Sequence, residues 1–329
     1  MAGSVTNFTI YDEEFHTAVS EQVAQAAIEL NGGTSGAFSM RSLTQMGDFE
    51  KNTFFQRVEG LVSRRDNTDV SAINDLEMNQ GEIVAVKINT KIGPVAQTID
   101  AFKKLGQDPR VMSFVLGSQF GEDVVLDYLN TGLTAAVAAM SSETDMVVDI
   151  SGDTSLDVNT LSHQALVKGL ARMGDRAARV RAVVCHSKSF YDLLGDSIAN
   201  KITNVADVAI YEGTTGSMGR PIIVTDSEAL ITYNDVDPEQ VDGYKVLLLT
   251  EGAVQLTESE DRTIYSELVT GHENLIMRLQ GELSHTIGVK GFSFDGTAGP
   301  TDAELADSAN YTYQYTTVKN GPGVMLECD

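Results

Sequence analysis

Tryptophan is absent from the 329 residues, cysteine occurs twice and proline six times. Two cysteines, Cys185 in an apolar run and Cys328 beside the C-terminus, are too few for a disulfide framework and lack the paired spacing of a zinc site. A reducing compartment is expected. Long hydrophobic runs are missing too: none approaches twenty residues, and Met1–Ile10 has no charged-then-apolar leader, so neither a membrane span nor a secretory signal is expected. Basic residues are scarce, 23 against 47 acidic ones, and the formal charge of -24 is spread along the chain. Such a surface repels polyanions, which excludes a dedicated DNA-binding domain. What remains is a globular chain, 42% hydrophobic and long enough to bury a real core.

The chemistry-bearing residues form no catalytic motif. Cys185 and His186 are adjacent, but successive strand side chains point to opposite faces, so the pair cannot share a proton there. Ser187 and Ser189 are instead expected to cap a helix that starts near Lys188. The stretch YEGTTGSMGRP, Tyr211–Pro221, offers Gly213, Gly216 and Gly219 for a phosphate cradle, yet no Lys-Ser/Thr follows and the segment runs into a proline. A turn is expected. Asp145, Asp149 and Asp153, or Glu258, Glu260 and Asp261, lack the glycine and the twelfth-position glutamate of a calcium hand, so solvated carboxylates are expected. The basic cluster Lys168, Arg172, Arg176, Arg179 and Arg181 is expected to pair with nearby acids rather than with phosphate. No catalytic, cofactor-binding or metal-ligating residue is assigned.

Periodicity outlines the elements. Between Asp12 and Leu30, the residues Phe15, Val19, Val23, Ala26 and Leu30 form one apolar helical stripe, with Asp12 as cap and Asn31-Gly32-Gly33 as stop. So narrow a stripe suits docking onto another surface. From Val58 to Ile92, the runs RVEGLVSRR and EIVAVKINTKI flank a polar middle, which predicts a long projecting hairpin whose tip, Asp66–Gly81, has little to bury. Asp108–Met140 reads as one helix of about thirty residues, capped by Asp108 and broken near Gly117 or Gly121. Residues 150–270 alternate short helices and strands. Met277–Val289 alternates apolar odd positions with polar even ones, so Glu282 and Lys290 face away from His285 in a strand far longer than usual. A lone histidine on an apolar strand face is expected in a core or interface.

This order of parts, an arm, a long hairpin, a long helix, a compact α+β region and a long return strand, resembles the tailed-phage major capsid proteins of the Hong Kong ninety-seven fold. Local text agrees: VVCHSKSFYDLL and GRPIIVTDS resemble the family's axial-domain segments, while ENLIMRLQGELSHTIGVKGFSFD and GPTDAELADSANYTY resemble its C-terminal signature. The likeness is local over about residues 180–315, architectural over 50–150 and absent before residue 50. Two departures stand out. Relatives often carry tryptophan where Phe294 and Tyr311 stand, and Asn-Pro where this chain has Gly299-Pro300.

The resemblance implies an N-terminal arm (1–55), an extended loop (56–100), a peripheral domain with a spine helix (101–150), an axial domain (151–270) and a return strand with a C-terminal segment (271–329). It implies a subunit without chemistry of its own that forms hexamers and pentamers of an icosahedral shell in the virion, assembled in the host cytoplasm around DNA held without sequence-specific contacts. A separate scaffolding protein and a portal are the implied partners, a decoration protein is an optional one, and no membrane, metal or cofactor is expected. Some relatives join a loop lysine to an asparagine next door. Lys87 and Lys91 are available here, but nothing around them specifies such a link. An encapsulin-type compartment shell is the alternative within the fold, and a soluble acidic hydrolase is the alternative outside it.

Overall fold

The computed structural model describes residues 5–58, 60–98, 109–152, 159–199, 219–234 and 240–329. Its helices are α1 (Val5–Gly33), α2 (Pro109–Ser141), α3 (His163–Met173), α4 (Ser187–Ala199) and α5 (Asp302–Ala306). Its strands are β1 (Phe38–Ser42), β2 (Phe49–Phe55), β3 (Gln80–Thr98), β4 (Val147–Asp149), β5 (Val180–Cys185), β6 (Ile222–Val224), β7 (Ile231–Tyr233), β8 (Val241–Thr250), β9 (Val254–Val269), β10 (Ile276–Val289), β11 (Phe292–Phe294), β12 (Tyr311–Tyr313) and β13 (Gly323–Cys328). The class is α+β.

Phe15, Val19 and Val23 of α1 are buried, as the stripe predicts. The ends of the helix differ from the reading. Asp12 lies inside α1 instead of capping it, and Gly32 and Gly33 continue the helix. The stop comes one turn later, where Ser35 (φ 51°) and Gly36 (φ 77°) enter the left-handed region and the Gly36 N–H donates to Asn31 O.

Helix α2 runs unbroken for 33 residues, about 50 Å at 1.5 Å per residue. The expected cap, Asp108, lies outside the described residues. No break occurs at Gly117 or Gly121, because the two glycines serve packing. A Cβ on Gly117 would stand 2.9 Å from both Ala18 Cβ and Phe15 O, and one on Gly121 would stand 2.7 Å from Gln22 Cβ. The arm helix therefore docks on its own chain's α2, with Phe15 edge-on to Phe120 at 5.3 Å. By length and composition alone Phe114–Ser141 could cross a membrane, a test that a buried core helix also passes. In this fold 61% of its most apolar stretch is buried, including all of Ala135–Met140.

The larger sheet has the order β1-β9-β10-β3-β2. Three of its strands are long, since β3 has 19 residues, β9 has 16 and β10 has 14. Leu283, His285, Ile287 and Val289 of β10 are buried, as the alternation predicts, and Glu282 is exposed. The even face is not all solvent, however. Ser284 and Thr286 are buried beneath polar neighbours, with Ser284 Oγ donating to Asn89 Oδ1 (2.8 Å) and Thr286 Oγ1 donating to Gln45 Oε1 (3.0 Å).

The projecting hairpin exists, but its first strand is β2, not RVEGLVSRR. Phe49–Phe55 pairs antiparallel with Gln80–Val86, and the Gln56 N–H donates to Asn79 O where the loop leaves the ladder. Among the described residues between 56 and 79 no helix or strand forms. Past Val86 the outer edge of β3 loses its partner. Lys87 N–H donates to Asp48 O, and among the described residues no strand pairs with that edge from Ile88 to Thr98. The same stretch is bulged against β10 near Gly281 and contains Gly93 (φ 79°) and Pro94.

The second sheet has the order β4-β13-β8-β5-β6, with β7 also on β8. Its central strands β5 and β13 and the second half of β8 are buried on both faces, so period two sorts them between two cores. Ala182, Val184, Leu247, Leu249 and Met325 face the core shared with α2 and the larger sheet. Val183, Cys185, Val246, Leu248 and Leu326 face α3 and α4. The expected segment boundaries do not follow these sheets. Strands β1 and β2, inside 1–55, and β9, inside 151–270, belong to the larger sheet, whereas β13, inside 271–329, belongs to the second.

Candidate functional site

Among the described residues no group of three or more His, Cys, Asp or Glu is arranged to hold a metal. His285 is the most enclosed titratable group of the sheet, 1% exposed, and lies between β10 and α2. Its ring packs on Tyr128 at 4.4 Å, and Nε2 is 3.3 Å from Thr131 Oγ1. The Thr131 hydroxyl donates to Asp127 O at 2.7 Å, so Nε2 carries the hydrogen that bridges to Thr131. Burial lowers the imidazole to about 4, which keeps it neutral. Such a group positions a core. Glu282 does not reach it, and Lys290 Nζ donates elsewhere, to Glu251 O at 2.8 Å.

Cys185 and His186 are separated as expected. Burial pushes the Cys185 thiol up to about 12, while His186 turns away, its Nδ1 accepting from Lys188 N–H (3.2 Å) and its ring lying 4.9 Å from Tyr244. The cap of α4 is thus His186 and not Ser187 or Ser189: Ser187 opens the helix and Ser189 is buried. Gly213 and Gly216 lie outside the described residues, and Gly219 sits in a turn with φ 75°.

Asp145, Asp149, Glu260 and Asp261 are exposed, as expected, and Glu258 is the exception. Glu258 forms a mostly buried ion pair with Arg262, whose Nη1 also reaches Val19 O of α1 (3.4 Å). Glu260 pairs with Lys87. Strand β9 is twice irregular against β10 over Glu258–Thr263, and this displacement gives the acids their partners, a signal that spacing does not carry. Asp145 pairs with Arg172 (2.9 Å), Asp149 Oδ1 accepts from Ser151 N–H (2.9 Å), and Asp153 lies outside the described residues. Of the two candidate cross-linking lysines, Lys87 is 6% exposed and committed to Glu260, whereas Lys91 is exposed. Arg181 meets Glu251 at 3.5 Å, Lys168 also has a partner, and Arg176 and Arg179 meet the neutral amide of Asn320. Pairing with acids therefore holds for only part of that cluster.

Phe294 and Tyr311 face each other across β11 and β12, ring centroids 5.3 Å apart, and the Tyr311 hydroxyl donates to Leu305 O (2.9 Å). Both line a small cavity of about 10 Å³ with Ala135 and Ile287. Gly299 takes φ 62°, a region that asparagine tolerates next best, which accounts for the exchange before Pro300.

What the molecule does expose is apolar side chains on the loop between β2 and β3. Val62 is 95% exposed, Val70 100% and Ile73 90%, and Leu61, Leu76 and Met78 are also exposed. The chain matches the model of the family described as major capsid protein 13-like over residues 7–325. It belongs to that family. The capsid protein has the Hong Kong ninety-seven-like fold of tailed-phage heads. It is similar to the cyanophage Pam1 capsid asymmetric unit (TM-score 0.56, 15% identity, 88% of both chains). It is also similar to the capsid of Ralstonia phage GP4 (0.54, 10%, 89% of this chain and 87% of that one) and to Microbacterium phage Oxtober96 (0.50, 13%, 89% and 90%). No curated protein matches it in sequence. As a major capsid protein it is an oligomeric shell subunit and part of the virion.

Proposed function

We propose that the capsid protein acts without catalysis, forming hexamers and pentamers of an icosahedral shell without covalent links between subunits. The shell encloses double-stranded DNA held without sequence-specific contacts and is assembled in the host cytoplasm. A separate scaffolding protein, a portal and, optionally, a decoration protein are its partners. The division into arm, extended loop, peripheral and axial domains is part of the same proposal.

One observation carries this reading: the loop between β2 and β3 leaves large apolar side chains uncovered by their own chain. Burying each would contribute roughly 1.5 to 3 kcal/mol, which a free subunit forgoes and a neighbour recovers. The loop begins and ends at the Gln56–Asn79 hydrogen bond, so Arg57 to Met78 can be replaced by an Asn-Gly turn without disturbing the β2/β3 ladder. The shortened chain should keep its circular dichroism and cooperative melting, yet give no closed shells by electron microscopy when co-expressed with its scaffold. Normal shells would remove the loop from assembly, and loss of the fold would place it in the core.

A further inference from the structure

Basic side chains gather at one place in this acidic chain, and four of them, Arg176, Arg179, Arg220 and Lys290, hydrogen-bond to neutral oxygens. The 3-10 turn Gly174–Arg179 leads from α3 into β5. Arg220 braces it, with Nε donating to Val180 O (3.0 Å) and Nη2 donating to Ala177 O (3.1 Å). Held in this way, Arg176 and Arg179 both donate to one acceptor, Asn320 Oδ1, the second at 3.4 Å. Lys290 ties its ammonium to a backbone oxygen, Glu251 O. Burial and then Arg179 disfavour its charged form, and the Glu251 carboxylate opposes them.

Around the rim, Arg172 meets Asp145, Lys319 meets Asp175 (2.5 Å) and Arg181 meets Glu251. Three carboxylates thus answer seven cations, in a chain where acids outnumber bases 47 to 23. Two guanidiniums converging on an amide oxygen present the donors that a carboxylate accepts with more strength.

We propose that this turn, with Arg176, Arg179 and Lys290 at its centre, is the docking site for a carboxylate-bearing surface of a second copy of the chain. The inference rests on the shell reading above. Charge complementarity selects the occupant: copies at -24 repel one another, and a compact positive site is where an acidic neighbour can be met with attraction. Duplex DNA fits less well, because binding it takes an extended array of cations, and the carboxylates on this rim would repel phosphate.

The test compares the full-length chain with Arg176→Glu/Arg179→Glu and Arg176→Gln/Arg179→Gln, following assembly in the presence of its scaffold by light scattering across protein and salt concentration. Melting followed by circular dichroism checks the fold, and anisotropy of a labelled DNA duplex checks nucleic-acid binding. The Glu pair should melt as the parent does, yet need at least about tenfold more protein to assemble at low salt, a gap that narrows as salt screens the contact. The Gln pair should fall between the two, and it carries the comparison alone if the Glu pair does not fold. Assembly equal to the parent at every salt concentration overturns the proposal. So does a variant that assembles normally but loses duplex binding, which would assign the site to nucleic acid. Should the unmodified chain never assemble even in the presence of its scaffold, the shell reading falls first and this inference falls with it.

Discussion

The two sheets bury their strands in opposite styles. In the second sheet five of the six residues of β13 are buried, and so are five of the six in β5. In the larger sheet β9 is mostly buried from Val254 to Ser259, but from Glu260 onward only Ile264 is, with Tyr265 70% exposed. The second sheet is held by the two cores it separates. The outer half of the larger sheet is held by pairing between long strands, and much of its surface remains to be covered by something else.

That contrast can be broken first at matched leucines. Leu248→Ala, in the core beneath α3 and α4, should cost about 3 to 4 kcal/mol in denaturant-unfolding free energy, as for other fully buried leucines. Leu268→Ala, on the outer half of β9, should cost no more than about 1 kcal/mol. Equal losses would mean that both sheets rest on cores.

A second effect, of nearly the same size, belongs to the larger sheet where β10 meets α2. His285 is depressed to about 4 in the folded chain against an ordinary value near 6.5. The unfolded chain therefore takes the proton first, and stability present above about pH 6.5 drains away as pH falls toward 4, by at most roughly 3 kcal/mol. Asp127 works the other way, since burial and then Asp302 raise its carboxyl and favour the folded state as pH falls. The difference between the parent and His285→Leu, in urea melts from pH 7 to pH 4, isolates the histidine. Parallel pH curves would show that the ring is not the titrating group.

The smallest pair compares two helical glycines. Gly117→Ala pushes a methyl into the α1 backbone and should cost about 1 to 3 kcal/mol, whereas Gly195→Ala meets nothing within 4 Å and should gain up to about 1 kcal/mol. If both stabilise in thermal melts, α1 is only loosely seated.

Much of this was legible from residue order. The stripe Phe15–Val19–Val23, the alternation of β10 and the length of α2 come from periods set by backbone geometry, and these need no knowledge of partners. What escaped was decided by partners. Phe49–Phe55 does not alternate and becomes a strand because Gln80–Val86 lies beside it, while Val58, Leu61 and Val62 look strand-like and find no mate. Gly117 and Gly121 read as breaks because a sequence does not show which helix will press on them. The residues of the basic cluster stand out in the sequence. Asn320, some 140 positions downstream of Arg176 and Arg179, does not, since nothing local marks an amide as an acceptor for distant arginines.

The unpaired outer edge of β3 bears on how such a chain survives its own abundance. A shell subunit is made in many copies at once, and a bare strand edge invites stacking into fibrils, a route that competes with ordered closure. Along Ile88–Thr98, Pro94 withholds an N–H and the neighbouring bulge throws the ladder out of line, so an incoming strand meets an interrupted template. An edge broken in this way is a poorer template for strand stacking than a straight one would be.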